Sequence, residues 1–164
     1  MRLLVLAACA ALASAADLPV APAVDLPRYM GTWHEIAHLP NYPQRGCTDT
    51  AVHYRLNEEG AFDLTNTCRK KGRLKSYAGK AARVEPGSDA KFRVKFFAFF
   101  RGDYWILDLD PDYRWAVVGS PDREGLWIIS RETTLDAGVY AAAVEKARRL
   151  GFPVERLVRT ARTG

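Results

Sequence analysis

Short segments in which apolar and polar residues alternate dominate this sequence. From Gly31 onward there are eight such segments, separated by turn residues such as those at 57–60 and 110–112. Side chains alternate between the two faces of a strand, so this pattern predicts strands with one buried face. No helical segment separates consecutive strands, and parallel pairing would need one. The sequence therefore predicts an all-β fold, either an antiparallel sandwich or an up-and-down barrel. The predicted strands are 33–39, 51–56, 61–67, 74–84, 91–97, 104–109, 113–119 and 126–131.

One later segment has the periodicity of a helix. Its apolar residues recur every three or four positions, which predicts a helix over 135–150. We expect Thr134 to cap the start of this helix, Gly151 and Pro153 to end it, and a short strand over 154–158 to follow. The sixth to eighth strands are apolar on both faces, so the helix is expected to cover their outer face.

The composition is that of one globular domain. The chain has 164 residues, of which 48% are hydrophobic and 26% charged, and its formal net charge is +5. This balance excludes a disordered or coiled-coil chain. A charge this small identifies no partner by itself, and we expect no nucleic-acid partner.

The N-terminal residues have the layout of a secretory signal peptide. One arginine precedes an apolar run over 3–12, and Ala-Ser-Ala follows at 13–15. An alternative is a lipobox that ends at Cys9, which would make Cys9 a lipidated first residue. We favour ordinary cleavage and export. The chain then divides into a signal peptide at 1–16, an extended proline-rich lead-in at 17–28, the barrel with its helix at 29–160 and a tail at 161–164.

Two cysteines remain after the signal peptide is removed. Cys47 and Cys68 form an even pair in an exported chain, so a disulfide between them is expected. The alternative is two unrelated buried thiols.

The inner face of the predicted strands is largely apolar. If eight antiparallel strands close into a barrel, the interior is just wide enough for one small ligand. Small inward residues, Gly79, Ala81 and Ala116, favour an interior that is not filled, although a barrel filled by side chains is the alternative. The residues predicted to line the interior are Val52, Tyr54, Phe62, Leu64, Asn66, Tyr77, Ala81, Val94, Phe96, Tyr104, Ile106, Asp108, Val118 and Trp127.

The longer loops fall at one end of such a barrel and are rich in cations and aromatic residues. A basic, apolar mouth over an apolar interior suits an amphiphile with an anionic head group. The alternative for the cations of 69–73 is a solvated turn. The residues at this end are Tyr42, Arg45, Arg69, Lys70, Lys71, Arg73, Phe97, Phe99, Phe100 and Arg101.

Three short motifs resemble those of the lipocalin family. Gly31-Thr32-Trp33 matches the G-x-W signature, the run 109–113 is similar to the second conserved block, and Arg131 matches the third. The sequence is most similar to bacterial outer-membrane lipocalins and to apolipoprotein D. This resemblance implies an eight-stranded antiparallel up-and-down β-barrel with one C-terminal helix on its outside. It also implies that Trp33 and Arg131 stack across the closed end of the barrel, so that these residues and Gly31 have structural roles.

The resemblance also implies a function. It predicts non-catalytic binding, storage or transport of a fatty acid or lysophospholipid for cell-envelope maintenance, in the periplasm or on the periplasmic face of the outer membrane. The expected partner is the lipid ligand; a membrane surface and a second copy of the chain are further candidate partners. No cofactor is expected.

Two other functions are alternatives to lipid binding. His34 and His38 lie about 13 Å apart along one strand, too far to share a metal ion, so no metal site is expected. Glu35 points inward and could act as a base, which keeps an isomerase-type enzyme acting on lipid as an alternative. A carrier of haem or of a pigment is the other, and haem would require an inward His or Cys.

Overall fold

The computed structural model describes residues 18–96 and 100–163. The predicted signal peptide with Cys9, and the predicted rim residues Phe97 and Phe99, lie outside this part of the chain. Within it, the eight predicted strands are present, most of them one to four residues longer or shorter than predicted. They are β1 Gly31–His38, β2 Cys47–Leu56, β3 Phe62–Lys70, β4 Arg73–Arg83, β5 Lys91–Phe96, β6 Phe100–Leu109, β7 Trp115–Gly119 and β8 Leu126–Ser130.

The strands close into an antiparallel barrel. Each strand from β1 to β8 pairs with the next one in sequence, and β1 also pairs with β8, which completes the circle. A ninth short strand, β9 Val158–Arg159, pairs with the end of β1. The turns β2–β3, β4–β5 and β6–β7 lie at one end, here called the closed end. The loops after β1, β3 and β7 lie at the other end, here called the open end. The predicted up-and-down barrel is confirmed.

Two hydrophobic clusters hold the molecule together. One fills the closed end of the barrel, and the other lies between the barrel wall and the helix α2 Ala137–Arg149. Ala143 and Ala147 of α2 are almost completely buried, and their small side chains let the helix approach the strands closely. They pack against outward-facing residues of β6, β7 and β8, such as Leu107 and Val117. The apolar outer faces of β6, β7 and β8 are therefore covered by α2, as predicted.

The ends of α2 differ partly from the prediction. Asp136, rather than Thr134, caps the start, because its carboxylate accepts hydrogen bonds from the N–H groups of Gly138 and Val139 at 2.9 and 3.0 Å. Gly151 ends the helix with a φ of +88°, a conformation that suits glycine. The predicted strand over 154–158 is instead a 3₁₀ turn followed by β9. No helix in the described ranges is long and apolar enough to cross a membrane.

The lead-in contains a helical turn that the sequence analysis did not predict. The structure forms α1 over Leu26–Tyr29, where an extended chain was expected. Asp25 caps this turn by accepting a hydrogen bond from the N–H of Arg28 at 3.2 Å, and Pro27 sits in the first turn, where no N–H is needed. One helical turn is too short to show periodicity. Its effect is to place Tyr29, which is fully buried, under the barrel interior.

A β-bulge in β6 reverses the predicted direction of Asp108. The register against β7 shifts between Ile106 and Asp108, so these two side chains lie on opposite faces of the sheet. Asp108 points outward and forms an ion pair with Lys146 of α2, with 3.2 Å between Oδ1 and Nζ. Strict alternation had placed Asp108 inside the barrel, and that prediction is wrong.

Candidate functional site

The barrel encloses a cavity of about 1170 Å³ that opens at the open end. This is large enough for a small-molecule ligand, since ligand pockets commonly measure about 300–1,000 Å³. The interior is therefore not filled by side chains. Ten of the fourteen predicted lining residues border the cavity: Val52, Tyr54, Leu64, Asn66, Tyr77, Val94, Phe96, Tyr104, Val118 and Trp127.

The other four predicted residues do not line the cavity. Asp108 points outward because of the bulge in β6. Phe62, Ala81 and Ile106 do face inward, but they are fully buried in the cluster that fills the closed end. Alternation therefore identified the inward face of β3, β4 and β6 at these three positions. Their side chains pack together at the closed end, so the cavity does not extend that far.

The closed end is sealed by a contact between β1 and the end of β8. The guanidinium carbon of Arg131 lies 3.9 Å from the centre of the Trp33 ring. Arg131 also donates hydrogen bonds to the backbone carbonyls of Arg28 and Thr32, at 2.8 and 3.0 Å. Gly31 has a φ of +95°, and a β-carbon there would approach Nη1 of Arg131 to 3.2 Å. Gly31, Trp33 and Arg131 form the closed end of the barrel, here called its floor, and none of them borders the cavity.

Three tyrosine hydroxyls meet just above this floor. The hydroxyl oxygen of Tyr104 lies 2.6 Å from that of Tyr29 and 2.7 Å from that of Tyr54. Burial raises the pKa of all three tyrosines well above the ordinary value, so each hydroxyl keeps its proton. Tyr54 and Tyr104 border the cavity, whereas Tyr29 lies beneath it.

A polar network lies higher in the cavity, around Glu35. The side chain of Glu35 is buried and borders the cavity, and its carboxylate accepts hydrogen bonds from Gln44 at 2.5 Å and Thr160 at 2.6 Å. Nδ1 of His38 lies 2.8 Å from the same carboxylate. Gln44 also accepts a hydrogen bond from the indole N–H of Trp127 at 3.0 Å. Gln44 is not among the predicted residues because the loop that carries it has no periodicity.

The mouth of the cavity is less basic than predicted. Of the ten predicted rim residues, Phe100 alone is among the described residues that line the cavity. β4 pairs with β5 only over Gly79–Arg83, so the β3–β4 hairpin extends past the barrel rim and its cations, including Arg69 and Arg73, project into solvent. Among the described residues, the cations that border the cavity are Arg123 and Arg156, and the carboxylates Asp103, Asp122 and Glu124 border it as well.

A disulfide braces the open end. Cys47 of β2 and Cys68 of β3 are bonded, with their Cα atoms 5.5 Å apart. The predicted pairing is confirmed, and the alternative of two separate thiols is wrong. Both residues border the cavity.

The histidines lie outside the cavity wall. His53 bonds to the hydroxyl of Thr32 at 2.9 Å, on the outer face of the barrel. Burial and the nearby charge of Arg162 lower the pKa of His34. None of the three histidines is among the described residues that border the cavity, so the described wall offers no imidazole as a haem ligand.

The fold and the cavity define a class of protein. A closed barrel of eight antiparallel strands, with one flanking helix and one open end, is the architecture of barrels that hold a single small hydrophobic ligand. The family model described as a lipocalin-like domain matches residues 24–162. The chain therefore belongs to the lipocalin family, whose members bind small hydrophobic ligands.

Individual relatives agree with this assignment. Temperature-induced lipocalin-1 of Arabidopsis thaliana is 37% identical over 154 residues, covering 88% of this chain and 82% of the relative. Outer membrane lipoprotein Blc of Escherichia coli is 35% identical over 136 residues, covering 82% and 77%. Apolipoprotein D sequences also match. Among solved structures, insecticyanin of Manduca sexta superposes with a TM-score of 0.69 at 21% identity, covering 88% of this chain and 84% of that one, which shows the shared fold.

Proposed function

We propose that this protein binds and carries a single-chain lipid, a lysophospholipid or a fatty acid, in its barrel cavity. The observation that carries the proposal is the continuous cavity of about 1170 Å³, with a largely apolar wall and one open end. An elongated amphiphile fits this shape with its acyl chain inside and its head group at the mouth.

Burial of the acyl chain supplies most of the affinity. The apolar wall of the cavity includes Leu64, Val94, Phe96 and Val118. Each methylene group that moves from water into such a wall contributes about 0.8 kcal/mol. A long saturated chain therefore binds more tightly than a short one with the same head group.

The charges at the mouth favour a head group that carries both a positive and a negative charge. Arg156 is exposed there, and Asp122 and Glu124 border the same opening. Arg123 is less available, because it donates hydrogen bonds to the carbonyls of Pro121 and Leu150, at 2.7 and 3.0 Å. A zwitterionic lysophospholipid can pair with both kinds of charge, whereas a fatty acid can use the cations alone.

The role we propose for Glu35 is structural rather than catalytic. Each carboxylate oxygen already accepts a hydrogen bond, one from Thr160 and one from Gln44. These bonds tie β1 to the C-terminal segment and to the loop that borders the mouth. A carboxylate held in this way positions its neighbours, which supports a carrier rather than an isomerase.

The proposed site of action is the cell envelope. Relatives named as outer membrane lipoproteins, together with the predicted signal peptide at 1–16, support export to the periplasm or to the periplasmic face of the outer membrane. Exposed apolar residues at the open end, Tyr42, Leu74 and Phe100, fit a transient contact with a membrane surface during lipid loading. A lipid anchor at Cys9 is the less favoured alternative.

The direct test is to identify the native ligand. The protein is purified from its own host, its mass is measured under native conditions, and the bound material is extracted and analysed. We expect one lysophospholipid or fatty acid per chain. A bound haem or pigment would contradict the proposal, as would conversion of the bound lipid into a product, which would show an enzyme.

A further inference from the structure

The three tyrosine hydroxyls at the floor of the cavity contain one hydrogen that they do not use among themselves. Tyr104 contacts Tyr29 and Tyr54, and the described residues provide these hydroxyls with no other side-chain partner. Each tyrosine hydroxyl carries one hydrogen, so three hydrogens are available for two hydrogen bonds. One O–H group is left over in every arrangement of the three.

Burial decides where the unused hydrogen lies. If Tyr104 accepts both bonds, its own hydrogen is free, and if it donates to Tyr54, the hydrogen of Tyr54 is free. Only if Tyr104 donates to Tyr29 does the free hydrogen fall on Tyr29, which has no accessible surface. A donor without a partner at such a position is costly. The free O–H therefore belongs to Tyr54 or Tyr104, which both border the cavity.

This donor borders the cavity and has no hydrogen-bond acceptor among the described side chains other than the tyrosines themselves. The cavity wall includes the apolar residues Leu64, Val94 and Val118. Glu35 also borders the cavity, but its carboxylate accepts hydrogen bonds from Gln44 and Thr160 and forms none with the tyrosines. A plain hydrocarbon end placed there leaves the O–H without a partner, whereas an oxygen atom on the chain would accept its hydrogen bond.

We infer that the natural ligand carries an oxygen acceptor, such as a ketone or a hydroxyl, near the buried end of its chain. This inference rests on the proposed function, because it assumes an amphiphile with its head group at the mouth. It narrows the ligand class from plain acyl chains to chains that are oxygenated close to their ends. The tyrosines stay protonated near neutral pH, because burial raises the pKa of each one above its ordinary value.

Three matched ligands test the inference. Hexadecanoic acid, 15-oxohexadecanoic acid and 8-oxohexadecanoic acid are titrated into delipidated protein by calorimetry. The 8-oxo acid controls for the cost of removing a ketone from water. We expect the 15-oxo acid to bind about tenfold more tightly than the 8-oxo acid, the value of one net hydrogen bond. Equal binding of the two oxo acids, or tighter binding of the 8-oxo acid, would overturn the inference.

A triple variant locates the effect. Replacing Tyr29, Tyr54 and Tyr104 by Phe removes all the hydroxyls and leaves no orphaned partner. We expect this variant to lose the preference for the 15-oxo acid, and Tyr140→Phe, which removes a hydroxyl on α2 outside the barrel, to keep it. A preference that survives in the triple variant would overturn the inference. If the triple variant does not fold, the comparison of ligands on the unmodified protein still decides.

The same titrations separate this inference from the proposed function. Binding of hexadecanoic acid without any preference for the 15-oxo acid would overturn the inference alone. Failure to bind all three acids and also a hexadecanoyl lysophospholipid, titrated in the same way, would overturn the proposed function and the inference together.

Discussion

Arg131 covers the Trp33 ring at the closed end of the barrel, with 3.9 Å between the guanidinium carbon and the ring centre. The two residues are almost a hundred positions apart in sequence, so their contact joins the first strand to the end of the eighth. The same guanidinium donates hydrogen bonds to backbone carbonyls of Arg28, Thr32 and Tyr113. One side chain therefore fixes α1, β1 and the β6–β7 turn relative to one another.

Replacing Arg131 by Ala should destabilise the protein by about 3 kcal/mol. The loss combines a cation–π contact and hydrogen bonds from a charged donor. Chemical denaturation measures the change in unfolding free energy. The control is Arg45→Ala, which removes a cation 5.8 Å from the ring of the exposed Tyr42 and should change stability little. Equal effects of the two substitutions would show that the closed-end contact has no special role.

Alternation predicted the strands and most of the cavity wall because each strand has one face in the interior and one outside. The choice of a closed barrel over a sandwich came from the resemblance to lipocalins. Alternation failed where the local backbone departs from a regular strand. The bulge in β6 turned Asp108 outward, and nothing in the residue types near Ile106 marks that shift. Gln44 reaches the cavity from an irregular loop, and its position depends on Glu35 and Trp127, which are distant in sequence or on another strand. Such contacts are tertiary and leave no periodic signal.

Phe96→Arg should abolish binding of an acyl chain without unfolding the barrel. Phe96 borders the cavity, and its ring lies over Gly79, where a β-carbon would approach the ring to 2.8 Å. A guanidinium in this position would occupy the cavity and present a charge to the hydrocarbon. Displacement of a fluorescent fatty acid measures the loss. Leu74→Arg introduces the same side chain at a position that is 65% exposed and outside the cavity, and should leave binding intact. Retained affinity in Phe96→Arg would place the ligand elsewhere.

Reduction of the Cys47–Cys68 disulfide should lower stability by about 3 kcal/mol. The bond closes a loop between residues 21 positions apart, and opening it restores conformational freedom to the unfolded chain. The melting temperature is measured with and without reductant. In the double variant Cys47→Ser/Cys68→Ser, reductant should have no further effect. If reductant leaves the melting temperature of the unmodified protein unchanged, the prediction is wrong.

The Asp110–Arg114 pair should stabilise the fold in full above about pH 4 and progressively less as the pH falls below that value. Hydrogen bonds from Arg114, with Nε 2.7 Å from Oδ2, hold the pKa of Asp110 below its ordinary value. The unfolded chain therefore binds a proton more readily than the folded one, and this stabilisation is lost as the pH falls through the lowered pKa. The difference in unfolding free energy between the unmodified protein and Asp110→Asn should be constant near neutral pH and shrink in acid. A difference in unfolding free energy that grows on acidification would contradict the prediction, because it would mean that folding raises the pKa of Asp110.

The position of the end of a bound acyl chain tests the central claim most directly. A fatty acid with a diazirine at the end of its chain is bound, photolysed and mapped by peptide mass spectrometry. We predict labelling of residues deep in the cavity, at Tyr54, Tyr104 or Val118, with competition by unlabelled hexadecanoic acid. Labelling confined to the exposed rim, at Tyr42 or Leu74, would show that the chain stays outside the barrel and would contradict the account.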